Sequence, residues 1–269
     1  MKSTYRSRPI FMILIGACLI LLGCSTIDIF PEERRQELAL TSDAFTLKEI
    51  QTQVLRQIDP SRSYIPGKGL RVVGADIWNK PLLRWLTPLD ENRQEFQAEL
   101  NMYQKGIAFT FLNGRKKGQV IGFDGRSYLK AGGQIIYEER SSTALYLGPL
   151  QNYLEWHQTL IRNPTLEFAG VESIGVTKHW VLYASKGNTQ HLAQHDQFLV
   201  YVNVDTKQVA FVEFTLRDLM KAYKGVVHYQ DYRNVQGMLM PHWVGIAGTI
   251  IAPDYDHYLE VDHFVFSAS

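Results

Sequence analysis

One thiol and a scatter of imidazoles and carboxylates are what this chain offers for chemistry. Cys24 follows a run of 14 residues, Ile10 to Gly23, that carries no charge; the second cysteine, Cys18, lies inside that run. His191 and His195 are four apart, a spacing that suits two metal ligands on one helix face. They follow Asn188-Thr189-Gln190 with no helical period around them, so they read as part of a polar hairpin loop. Asp254, Asp256, His257, Asp262 and His263 gather toward the C-terminus. Strand alternation sends Asp256 and His257 to opposite faces, and Asp262 and His263 likewise, which disperses any single metal shell. His228 and His242 flank Tyr229–Pro241 and are expected to face each other across a hairpin as a cross-strand aromatic pair. There is no Gly-x-Ser-x-Gly elbow and no His-Glu-x-x-His, and Gly67-Lys68-Gly69 lacks the spacing of a phosphate loop. The sequence names no catalytic residue, no metal ligand and no cofactor. A site assembled from residues distant in sequence would leave the same blank.

Cys24 has a context of its own. Lys2, Arg6 and Arg8 precede the uncharged run. That run is shorter than the about 20 apolar residues a membrane-spanning helix needs, and it has the length of the apolar part of a secretory signal. It ends in Leu21-Leu22-Gly23-Cys24-Ser25, which resembles the lipobox of bacterial lipoproteins. The resemblance implies cleavage before Cys24, a diacylglyceryl group on its thiol, and anchoring in membrane lipid. Several acyl chains anchor firmly because each buried CH₂ contributes roughly 0.8 kcal/mol and one chain alone is marginal. With Ser rather than Asp after the cysteine, the same resemblance implies transport to the outer membrane of a Gram-negative cell, on its periplasmic face.

Removal of residues 1–23 leaves 246 residues with 25 basic and 27 acidic side chains, a formal charge of −2. That balance, and the absence of a large basic cluster, argue against a nucleic-acid partner. Arg115-Lys116-Lys117 is the densest basic run after Cys24 and reads as a solvated hairpin tip. No thiol remains for a disulfide, so the fold must stand on its core. A chain of this length can bury roughly 70–75% of its unfolded surface. The 14 Tyr, 13 Phe and five Trp favour sheet.

Residues 24–45 read as a lipidated tether and 46–269 as one domain. Thr46 with Glu49 forms a capping box. Leu47, Ile50, Val54, Leu55 and Ile58 share a helical face, and Asp59-Pro60 ends the helix. Its opposite face is mixed rather than basic, so it is expected to pack on a sheet rather than lie on a membrane. Residues 60–93 show no clear period. Trp78 and Trp85 there could plug an opening, meet lipid headgroups or complete a core. From Gln94 short alternating runs predict strands over 94–102, 107–111, 119–123, 126–129 and 134–138, with turns at Asn113-Gly114, Lys117-Gly118, Asp124-Gly125 and Gly132-Gly133. A second helix is expected between Pro149 and Pro164, with His157 packed on its apolar face. Strands resume over 166–173, 176–185, 196–204, 208–216, 224–233, 238–248 and 257–266. The result is an α+β domain with one curved antiparallel sheet and helices covering a face.

Three stretches resemble the LolA/LolB-like superfamily. They are Gly122-Phe123-Asp124-Gly125-Arg126-Ser127-Tyr128, Tyr201-Val202-Asn203-Val204-Asp205-Thr206-Lys207-Gln208-Val209, and Tyr229 to Pro241 with its Asp231-Tyr232-Arg233 and Gly237. The turn in the second is a residue shorter than in the family. All three are turn and strand chemistry rather than catalysis. Asp231 and Arg233, two apart on one strand face, could form a neighbouring ion pair. The resemblance implies an unclosed half-barrel whose apolar concave face can accept acyl chains. Phe96, Leu100, Phe109, Phe111, Phe123, Phe211 and Phe214 are the candidates to face that cup; of Phe211 and Phe214, three apart, only one can do so in a regular strand. The same residues could equally form a filled core. Ile250-Ile251-Ala252-Pro253 could be an exposed apolar loop or a buried strand end. Three functional readings follow: a non-enzymatic binder of a lipid or other hydrophobic ligand, an envelope assembly factor with a protein partner, and a hydrolase whose site would gather His257, Asp254 and His191. Replacing Cys24 by Ser is expected to abolish incorporation of labelled palmitate and to leave an uncleaved precursor; incorporation that persists in Cys24→Ser would refute the lipobox.

Overall fold

The computed structural model describes residues 27–40, 45–139, 141–185, 195–217 and 223–267. The signal segment, Cys24 and His191 lie outside the described residues.

Thr46 accepts from the Glu49 amide while the Glu49 carboxylate accepts from the Thr46 amide, so the capping box starts the helix as expected. A cap of this kind contributes about 1 kcal/mol. The helix runs Leu47–Ile58 and buries Ile50, Val54 and Ile58. A shorter helix, Glu32–Ala39, precedes it. These are α1 (Glu32–Ala39) and α2 (Leu47–Ile58). Then come β1 (Gly69–Trp78), α3 (Pro81–Arg84), β2 (Arg93–Asn101), β3 (Ile107–Phe111), β4 (Val120–Phe123), β5 (Ser127–Ala131) and β6 (Gln134–Tyr137). α4 (Ser141–Thr159) leads to β7 (Glu167–Ile174), β8 (Thr177–Ser185), β9 (Gln197–Asn203), β10 (Val209–Thr215), β11 (Lys224–Val235), β12 (Met238–Ala247) and β13 (His257–Phe266).

The 13 strands form one sheet in the order β6-β5-β4-β3-β2-β1-β13-β12-β11-β10-β9-β8-β7. Its pairings are antiparallel, and the sheet is open, with β6 and β7 as its edges. The chain leaves β6 at one edge, crosses the concave face as α4, and re-enters at the other edge as β7. α4 packs on β3, β4, β5 and β10, and α2 packs on β12. The main core lies between sheet and helices. Phe96 stacks on Phe109 at 5.0 Å between ring centroids, and Phe109 meets Tyr146 of α4 at 5.7 Å. A polar clamp ties the far end of α4 to the chain after α2. Buried Glu155 accepts from the Tyr64 hydroxyl at 2.6 Å and the Tyr103 amide at 3.1 Å, and Arg162 pairs with Asp59 at 2.6 Å.

Four features differ from the expectations. α4 begins at Ser141, not after Pro149, and carries Pro149 inside it. A proline there forfeits one helical bond, but burial of Tyr146 and Leu147 against the sheet holds the turn before it. β1 falls in the stretch that showed no period. A bulge between Val73 and Gly74 breaks its alternation against β13. A Cβ at Gly74 would come within 2.2 Å of the Glu260 carbonyl oxygen, so only glycine fits. The supposed tether is partly folded. Ile29, Phe30 and Leu38 are buried on the convex face against Ala169, Val181, Tyr183, Leu199 and Tyr201. Finally, His228 stands opposite Gly245, not His242. His228 packs on Phe211 and Tyr255, and His242 on Phe264.

His157 is fully buried on α4, its ring 5.4 Å from that of Tyr229 and 6.1 Å from that of Tyr232. Burial, with the Arg162 charge nearby, pushes its pKa down to about 3. An unfolded imidazole takes a proton near about 6.5. Between those two values the unfolded chain binds more protons, so this residue's contribution is present above about 6.5 and is lost as pH falls toward about 3. Urea unfolding of wild type and His157→Leu from pH 7 to 4 is expected to show a shallower loss of stability in the variant, by about one proton. Parallel pH profiles would show that His157 is not the group responsible.

Candidate functional site

Antiparallel register brings one end of many elements together. Ser185 pairs with Gln197, Phe198 with Phe214, Thr215 with Lys224, Val226 with Ala247, Ile246 with His257, His257 with Trp78, and Ile77 with Arg93. All these residues therefore lie at the same end of the sheet. Here α4 and the segment between β1 and β2 fail to meet, and a cavity of about 370 Å³ remains. Its walls are Trp78, Leu83, Leu86 and Thr87 from that segment, Leu145, Tyr146, Pro149, Leu150 and Tyr153 from α4, Leu216 and Tyr223 around the β10–β11 connection, and Ile246, Asp256 and His257 from the β12–β13 side. A larger groove of about 730 Å³ at the opposite end is open and edged by Arg71, Glu99, Lys105 and Asp124. Leu70, Leu100, Ile107 and Phe266 line it beside those charges, so of the candidate cup residues Leu100 borders this groove.

The cavity has a polar floor. Asp76 is fully buried on β1. Its carboxylate accepts from the Tyr146 hydroxyl at 2.7 Å and from His257 Nδ1 at 2.8 Å. The Trp78 indole lies parallel to the His257 ring, 4.1 Å between centroids at 7°. Burial, reinforced by Asp76, holds the Tyr146 hydroxyl well above the usual phenol range. Tyr223 is pushed up to about 12 by burial and the Asp256 charge. Both hydroxyls stay protonated and can donate. Lys80 bridges Asp254 at 3.1 Å and Asp256 at 2.6 Å, which pins the 79–92 segment to the β12–β13 loop. Arg84 donates to the Leu89 carbonyl, and the Thr87 hydroxyl to the Arg84 carbonyl, so the segment has its own internal bonds. On the segment that forms one wall, Leu82 is 72%, Trp85 71% and Leu86 62% exposed, and Ile251, 72% exposed, stands on the β12–β13 loop at the same end of the sheet. Exposed apolar side chains clustered this way mark a contact surface.

None of the seven candidate cup residues lines this cavity. Phe96, Leu100, Phe109, Phe111 and Phe214 are buried in the main core, and Phe123 packs partly buried against it. Phe211 lies on the other face, against the convex cluster. The Asp231–Arg233 ion pair forms on the surface. Tyr232 donates to the Val209 carbonyl at 2.8 Å. Gly237, at φ 89°, forms the hairpin turn with Gln236, and Pro241 stands opposite Tyr232. Ile251 projects from a loop, not a strand end. The groups proposed for a hydrolase do not gather among the described residues. Asp254 is an exposed partner of Lys80, and His257 is committed to Asp76. The described residues contain no metal-holding cluster of histidine, cysteine and carboxylate side chains. Sequence reading missed Asp76 and Tyr146. The unpaired acid in the apolar strand Val72–Trp78 was the available signal.

No family model matches the chain, and no curated protein matches it. Solved structures do. A DUF1329 family protein from Desulfovibrio piger aligns at 9% identity and a TM-score of 0.52, over 83% of this chain and 94% of that one. A putative outer membrane lipoprotein-sorting protein domain from Vibrio parahaemolyticus aligns at 10% identity and 0.51, over 83% and 93%. A LolA superfamily protein from Nitrosomonas europaea aligns at 12% identity and 0.49, over 84% and 96%. At such identities the likeness is one of fold. An open antiparallel sheet, concave toward crossing helices, is the fold this chain shares with the Desulfovibrio protein and the Vibrio lipoprotein-sorting domain over most of its length.

Proposed function

We propose that the chain is an outer-membrane lipoprotein of the periplasmic face, held by acylated Cys24, that binds the apolar part of a lipid in the cavity beneath α4. One observation carries this reading: the cavity opens at the sheet end where the chain arrives from Cys24. Ile29 donates its amide to Gln197 Oε1 at 3.0 Å, Gln197 donates to Asp28, and Arg217 to the Ile27 carbonyl. Gln197 begins β9 and Arg217 follows β10, both at the cavity end. Ile27 is three positions from Cys24, a reach of at most about 11 Å. A lipid on Cys24 therefore holds that end, with its Leu82, Trp85, Leu86 and Ile251 rim, against the bilayer. Tryptophan is at home at the membrane–water interface. Among the described residues no helix is long and apolar enough to cross a membrane. The fold shared with a putative lipoprotein-sorting domain supports an envelope setting. Binding rather than catalysis fits a cavity whose one aliphatic hydroxyl, on Thr87, is turned to the Arg84 carbonyl.

A second reading has its own observation. The edge strand β6 exposes Ile135, Ile136 and Tyr137, and an open apolar edge can accept a strand from a protein partner. A scaffold that works through β6 would not need the cavity to be filled.

Purified full-length protein from an envelope fraction is expected to yield stoichiometric lipid on extraction and mass spectrometry. Leu145→Trp, which narrows the mouth from a half-exposed position, should lower that yield several-fold with an unchanged circular dichroism spectrum. A clean extract from wild type would refute the cavity as a lipid site. In vesicles of brominated phospholipid, wild-type fluorescence should be quenched and the quenched component should vanish in Trp85→Phe. Equal quenching in the two proteins would place the rim away from the bilayer.

A further inference from the structure

The open β6 edge dictates which strand can pair with it, given the reading that this edge accepts a protein strand. β5 and β6 are joined by Gly132 and Gly133, both at positive φ, and Ala131 pairs with Gln134. In a two-residue hairpin the flanking pair is hydrogen-bonded, and bonded pairs then alternate with unbonded ones. Leu129 with Ile136 and Ser127 with Glu138 are therefore bonded pairs, and Glu138 does donate its amide to the Ser127 carbonyl at 2.9 Å. Ile135 and Tyr137 fall at the unbonded positions. Their N–H and C=O groups point away from β5 and out of the sheet, where no described residue bonds them. The side chains follow the same alternation. Ile136 shares the face of Leu129, which packs on the main core, and Ile135 and Tyr137 take the other face. All three are about half exposed. Tyr137 is held in place: its hydroxyl donates to Asp124 at 2.8 Å, and the Arg126 guanidinium lies 4.0 Å from its ring centre. β6 carries none of the proline, lysine or bulge that blunts an edge against pairing.

We infer that the strand this edge accepts is β6 of a second copy of the chain, paired antiparallel about a two-fold axis at Ile136. The bond directions fix the register. Ile135 opposes the second copy's Tyr137, and because both present outward groups they exchange two main-chain bonds; the symmetric pair makes two more. Ile136 meets its own equivalent at the axis, apolar against apolar. Gln134 meets Glu138, an amide that can donate to a carboxylate. A slip of one residue sends opposing side chains to opposite faces. Moving the axis to Ile135 sets Ile136 against Gln134, and moving it to Tyr137 sets Ile136 against Glu138. β6 is thus complementary to itself in one register. The contact is short, four residues from each copy, so the dimer is of the weak, reversible kind.

The test uses the full-length mature protein in detergent, whose one cysteine, Cys24, is acylated and offers no thiol. Opposed residues of an unbonded antiparallel pair have Cα atoms about 4.5 Å apart, within disulfide range. Ile136→Cys is therefore expected to give a disulfide-linked dimer on mild oxidation. Ile135→Cys, whose equivalents are diagonal neighbours about 7–8 Å apart, is expected to give little. Ile135→Pro removes the outward N–H and leaves the β5–β6 bonds intact. It should weaken self-association in sedimentation equilibrium at least about tenfold, because two of the four bonds are lost, with an unchanged circular dichroism spectrum. Equal cross-linking at the two positions, or a monomeric wild type, overturns the inference. Amide hydrogen exchange in such a monomer then separates the two readings. Fast exchange at Ile135 and Tyr137 would leave the edge open to a different protein, whereas protection at both would remove the open-edge reading as well.

Discussion

An open sheet with an apolar concave face has to be roofed, and α4 is the element that makes this possible here. It crosses from the β6 edge to the β7 edge and packs on strands of both halves. The hydrophobic gain of that cover scales with the area removed from water. Tyr146, Leu147, Leu150 and Leu154 are all buried by it. Where the roof ends, beside Trp78 and His257, the same apolar walls continue without a filler. The site is thus a by-product of incomplete cover, and its lining is the part of the core pattern that found no partner.

The convex face obeys a different rule. β8 and β9 are buried on both sides, with Trp180 and Leu182 inward and Val181 and Tyr183 outward. The outward set is covered by the chain before α1 and by α1 itself. Charged groups lock that cover in place: Arg34 bonds the Ile29 carbonyl and Glu213 and sits beside Tyr201. A half-buried arginine with several acceptors is well satisfied, and its pKa is raised despite the desolvation that opposes it, by Tyr201, Glu213 and Glu172. Residues 27–40 therefore pack onto the domain rather than trail from it.

Much of this was legible residue by residue. The strands from Glu167 to Phe266 fell within one or two residues of their expected bounds, and Thr46 marked the start of α2. What escaped had local chemistry at odds with the final structure. β1 hid behind a bulge at Gly74 that shifts the period. α4 hid behind Pro149, whose local cost is outweighed by tertiary burial. The covered convex face was written in the unbroken apolar runs His179–Ala184 and Phe198–Val202, which lack the alternation of a one-sided strand. The aromatic periodicity located the core but not the gap in it. Asp76, Tyr146 and His257 stand 70 and 111 positions apart in turn, and only the sheet order places them together.

That sheet order also sets a schedule for assembly. β1 pairs on one side with β2, its neighbour in sequence, and on the other with β13, with Leu70 against Phe266 and Trp78 against His257. Until β13 arrives, the two meanders are separate half-sheets, and each has an open, apolar inner edge. Contacts of such sequence separation form late and slowly, and open edges in the interval invite mispairing. β13 also brings His257. A chain interrupted short of that strand lacks the seam between its halves and the floor of its cavity at once.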